Sequence, residues 1–106
     1  MGVQIINPSS STKINSGIAT VNFGIPPAND TLCSVVVTGQ SGILATSKIF
    51  VSKRVEATAD HTADEVWVEN WEPEVGAIVP GTSFTIFAKC TVGRTNGRFN
   101  VSWEWI

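Results

Sequence analysis

The chain has no tyrosine, one histidine, one methionine, two cysteines and only two leucines among its 106 residues. Long helices in soluble domains lean on Leu, Ala, Glu and Lys. Here thirteen Val, ten Ile and eleven Thr stand against two Leu, and such β-branched residues fit a pleated, half-buried surface, so the composition predicts an all-β chain. One histidine, His61, leaves little for hydrolysis, which needs a base beside a nucleophile, and no nucleophile-elbow pattern accompanies it. Two cysteines and one histidine cannot close a four-ligand zinc site, and Cys33 and Cys90 lie too far apart for a paired-thiol redox motif. No enzyme activity, cofactor or metal is therefore expected. No apolar run approaches the ~20 residues that span a bilayer, and the first residues lack the charged start and apolar stretch of a secretory signal. Folding in a cytoplasm is the expectation, with no membrane partner. Charged residues make up only 15% and the net charge is −2; without a basic stripe, the electrostatic footprint of a nucleic-acid binder is missing.

What is present is a regular alternation of short apolar runs and turn residues, the pattern of a sandwich or barrel. The length suits one domain, residues 1–106, read as a single antiparallel β-sandwich or barrel-like fold with 1–17 as an extended N-terminal arm. The expected strands are Val3 to Ile6, Ile18 to Phe23, Leu32 to Thr38, Ile49 to Ala57, Glu65 to Trp71, Ala77 to Val79, Ser83 to Val92 and Arg98 to Trp105. Ala57 to Asp64 reads as a connection, with Asp60 a cap if a turn of helix forms there. Asn96-Gly97 carries the chemistry of a type I′ turn. It predicts a hairpin that sets Val92 opposite Val101, Cys90 opposite Trp103 and Ala88 opposite Trp105 on one face. The other face then receives Thr91 with Ser102 and Lys89 with Glu104.

Cys33 alternates with Val35 and Val37, and Cys90 with Ala88 and Val92, so both read as small buried hydrophobes with free thiols. A disulfide between two packed sheets is the competing reading. Trp103 and Trp105 belong to the apolar face of their strand. Trp67 and Trp71 fall on one face of theirs, with Glu69 between them, and are open to three roles: core, subunit interface or carbohydrate platform. Glu56, Asp60, Asp64, Glu65, Glu69, Glu72 and Glu74 occupy nineteen residues without a Lys or Arg. Asp60, Asp64 and Glu65 carry oxygens that suit calcium but lack the ligand order and Gly of an EF-hand. Lys89, Arg94 and Arg98 cluster around the expected hairpin. The domain therefore has an acidic flank and a basic tip, which is either a solvated surface or a pair of complementary docking sites between neighbouring copies. The low charge fraction fits a covered surface or a Ser/Thr-rich open sheet face equally.

The second half, from Val55-Glu-Ala-Thr-Ala-Asp-His-Thr-Ala-Asp-Glu65 through Gly76-Ala-Ile-Val-Pro-Gly-Thr-Ser-Phe-Thr-Ile86 to Gly97-Arg-Phe-Asn-Val-Ser-Trp-Glu-Trp105, resembles small structural proteins of tailed bacteriophages. The resemblance covers residues 55–106 and contains no catalytic residues. It implies a β architecture and a place in the virion, after synthesis in the bacterial cytoplasm. The function expected on that basis is a capsid decoration or stabilising protein, packed in multiple copies against the major capsid protein and itself. A carbohydrate- or receptor-binding module of a phage tail or tail fibre is the alternative.

Overall fold

Alternation of apolar and polar side chains builds six strands that each bury one face. In the computed structural model, which describes residues 15–24 and 30–106, these are β1 (Asn15–Asn22), β2 (Leu32–Val37), β3 (Ile49–Lys53), β4 (Trp71–Val79), β5 (Ser83–Cys90) and β6 (Arg98–Trp105). They form two three-stranded antiparallel sheets, ordered β1-β6-β3 and β2-β5-β4, packed as a sandwich. The inward faces interdigitate: Phe99, Val101 and Trp105 of β6 meet Phe84, Ile86 and Ala88 of β5, with Val21, Phe23 and Trp71 closing one end. Burying each large side chain contributes about 1.5–3 kcal/mol, so this layer dominates the stability. Ile43, from the connection between β2 and β3, is also buried and caps the other end.

The expected strand at Val3 to Ile6 lies outside the described residues. Of the expected N-terminal arm, Asn15 to Gly17 belong to β1, where they pair with Trp105, Glu104 and Trp103. β3 stops at Lys53, short of Ala57, and β5 at Cys90, short of Val92. Ala77 to Val79 is the end of the longer strand β4. Pro73 is accommodated because β4 is an edge strand, and an irregularity between Val75 and Ile78 bends it.

Two expectations are overturned. β5 and β6 do not form a hairpin: Cys90 pairs with Trp71, and Trp103 pairs with Gly17 and Val51. Each strand is instead the centre of its own sheet, which gives both of its ladders a partner. Residues 91–97 arch from one sheet to the other, so Val92 is 70% exposed rather than opposite Val101. Gly97 sits in this arch at φ +81°, donating to the Gly24 carbonyl (2.6 Å) and accepting from Phe23 N–H (2.9 Å). The β4–β5 connection, closed by Thr82 N–H to the Val79 carbonyl (3.0 Å) around Pro80-Gly81, is the real hairpin.

The second correction concerns Glu65 to Trp71, most of which is helical: α1 spans Ala63–Val68. Its N-cap is Thr62, not Asp60. The Thr62 hydroxyl accepts from Glu65 N–H (3.2 Å) and the Glu65 carboxylate accepts from Thr62 N–H (2.8 Å). This capping box, with Asp64 and Glu65 in the first turn, favours helix over strand despite Val66, Trp67 and Val68.

Candidate functional site

The helix separates the two tryptophans expected to share a face. Trp67 is 71% exposed on α1, whereas Trp71 opens β4 at 2% exposure, packed in the core against Phe23 and Phe99. Lys53 Nζ lies 5.0 Å above the Trp71 ring, and burial pushes its pKa down. Trp67 and Trp71 therefore form no paired platform.

Three of the seven acidic residues of the stretch, Glu56, Asp60 and Glu74, are paired with Lys or Arg of the same chain. Asp60 Oδ2 accepts from the Arg98 backbone N–H (2.7 Å) and from its Nε (2.8 Å). The hydrogen bonds from Arg98 hold the Asp60 carboxyl below its usual range. Glu56 accepts from Arg54 Nε (3.0 Å) and Nη2 (2.9 Å) and from Asn100 Nδ2 (2.7 Å), which holds its carboxyl low as well, chiefly through Arg54. Lys89, opposite Glu72 in the ladder, makes its ion pair with Glu74 at 2.7 Å. Glu65 serves the cap. Glu69 Oε1 accepts from the buried Thr95 hydroxyl (2.6 Å), and the Glu69 carbonyl accepts from Lys53 Nζ (2.6 Å). Asp64, Glu72 and Arg94 are exposed. The proposed acidic flank and basic tip thus meet within one molecule at Asp60–Arg98.

His61 stacks on Phe99 at 4.3 Å, and its Nε2 lies 2.7 Å from the Asn96 carbonyl, to which it donates. Its Nδ1 is 3.6 Å from Glu65 Oε1. Both nitrogens are thereby turned to the arch and the helix, beside a hollow of about 190 Å³ that Val68 and Glu69 complete. Among the described residues no three His, Cys, Asp or Glu side chains are grouped to hold a metal ion. Cys33 and Cys90 are free thiols in neighbouring strands of one sheet, so an inter-sheet disulfide is not the arrangement. Burial pushes the Cys33 pKa to about 11 and raises that of Cys90.

Two surfaces escaped the sequence reading, because each is assembled from three strands distant in sequence. On the outer face of β2-β5-β4, the pairings set Leu32, Lys89 and Glu72 in one row and Ser34, Phe87 and Glu74 in the next, followed by Val36 beside Thr85. Leu32, Val36 and Phe87 are all exposed. On the outer face of β1-β6-β3, Ile18 and Phe50 flank a groove of about 400 Å³ whose floor is Ser102. The alternation of polar Arg98, Asn100, Ser102 and Glu104 with buried neighbours marked that face as outward. It did not reveal its partners.

No protein-family model and no curated protein matches the chain.

Proposed function

We propose that the chain is a non-enzymatic structural component of a phage particle, a capsid decoration or stabilising protein that packs in multiple copies against virion proteins such as the major capsid protein and against itself. The observation that carries this reading is the outer face of β2-β5-β4. There Leu32, Val36 and Phe87 stand exposed with the Lys89–Glu74 pair and Glu72 alongside. Exposed apolar side chains on β2 and β5 interleaved with charged groups on β5 and β4 suit a docking surface, in which the apolar part contributes affinity and the charges orient the contact. The edge strands of each three-stranded sheet also gain from cover by a neighbour. The phage-like pattern of residues 55–106 supplies the setting.

Leu32→Glu combined with Val36→Glu tests this reading, since both side chains already face solvent and the fold should survive. The double variant should melt like the wild type yet be lost from particles. Normal incorporation of a folded double variant would remove this face from the assembly.

A further inference from the structure

We propose that the groove on the outer face of β1-β6-β3 is a binding site for a neutral saccharide. The pairings of β1 and β3 with β6 lay out three rows: Ser16, Glu104 and Phe50; then Ile18, Ser102 and Ser52; then Thr20, Asn100 and Arg54, the last through Arg54 N–H to the Asn100 carbonyl (3.0 Å). Small serines occupy the middle while Ile18, Phe50, Arg54 and Glu104 rise around them. That contrast in side-chain size makes the hollow. Strands ~4.8 Å apart put β1 and β3 about 10 Å from each other, the width of one sugar ring with its hydroxyls. A volume of about 400 Å³ falls within the range of about 300–1,000 Å³ for small-molecule sites.

The chemistry of the walls selects the ligand. Ile18 is 56% and Phe50 53% exposed on opposite sides, so each offers an apolar surface to the C–H face of a ring. Arg54 is fixed in place: Nε and Nη2 donate to Glu56 and Nη1 donates to Ser102 Oγ (2.9 Å). Three of its five N–H groups are engaged and two remain to donate outward. Ser102, accepting from Arg54, keeps its own proton to give. Glu104 supplies acceptors at the far end. Hydroxyl groups that both donate and accept match this mixed set, and little ordering cost remains on the protein side. One cation against two carboxylates, Glu56 and Glu104, disfavours an anionic ligand. A peptide strand is disfavoured as well, because β6 is paired on both sides and offers no free backbone ladder.

This site lies on the sheet opposite the proposed assembly face and does not depend on that reading. The test is a two-dimensional amide NMR titration of the full chain with maltose, lactose, mannobiose and chitobiose, taken to about 20 mM, beyond the millimolar Kd of a weak site. At least one disaccharide should shift the amides of residues 16–18, 50–54 and 102–104 saturably, and Phe50→Ala should weaken it tenfold or more while melting like the wild type. Ser102→Val, which fills the floor, should do the same. No shift with any of the four, or shifts indifferent to both substitutions, overturns the proposal. So do shifts at these amides on concentrating the protein alone, which would make the occupant a second copy.

Discussion

Replacing Gly97 by Ala separates the inter-sheet arch from a simple hairpin tip. At φ +81° an L-residue sits in the left-handed region, which costs roughly 1–2 kcal/mol. A Cβ added at Gly97 meets Asp60 Cβ and His61 Nε2, each at 2.8 Å, so one of them must shift. Asp60 is tied to Arg98, and His61 is held between Phe99 and the Asn96 carbonyl, so neither moves freely. Overpacking of this kind adds about 1–3 kcal/mol. The sum, about 2–5 kcal/mol, is a large share of the 5–15 kcal/mol typical of a domain and should lower the urea midpoint by roughly 1–5 M. Gly39→Ala is the control, because Gly39 has nearly the same φ, +75°, with nothing within 4 Å of the added Cβ. It should show the backbone cost alone. If the two variants agree within about 0.5 kcal/mol, residues 91–97 do not dock on the 57–62 segment and the arch is wrong.

Three further outcomes follow from the contacts. Asp60 and Glu56 have depressed carboxyl pKa values, so the stability they contribute is complete above the unfolded-state value and fades as pH falls through the folded one, below about pH 4. Carboxyl-carbon NMR should place the Asp60 midpoint below that of a free aspartate, and Arg98→Gln should raise it; a normal midpoint in the wild type contradicts the pair. With the Cys33 pKa pushed to about 11 and that of Cys90 raised, both thiols should resist iodoacetamide in the native protein at about pH 8 yet titrate fully in denaturant. Rapid native alkylation or a missing thiol refutes this. Thr62→Ala removes one half of the capping box and should cost ~1 kcal/mol in chemical unfolding, whereas no change would mean that α1 is held without it.

The β class and the cores of most strands were legible because period-two alternation at Ile18 to Phe23, Leu32 to Val37, Ser83 to Cys90 and Arg98 to Trp105 reports a buried face directly. Partnership was not. Ala88, Cys90, Val101 and Trp103 satisfy the same alternation whether they pair with each other or with separate neighbours, and Asn96-Gly97 serves an arch as well as a hairpin. Thr62 and Glu65, three residues apart, were the overlooked helix signal, outweighed by the strand-like Val66-Trp67-Val68. Missing that turn misplaced Trp71, whose burial ends the idea of paired indoles. The ion pairs Asp60–Arg98 and Lys89–Glu74 were hidden for the same reason, since they depend on which segments meet.

The proposed function is that of a repeated structural subunit docked through the outer face of β2-β5-β4. A cryo-EM reconstruction of the phage particle proposed to carry this chain tests that claim most directly. The prediction is many symmetry-related copies, with Leu32, Val36 and Phe87 covered by a neighbouring virion protein or another copy. Particles that lack the chain, or that hold it with these three side chains open to solvent, would contradict it.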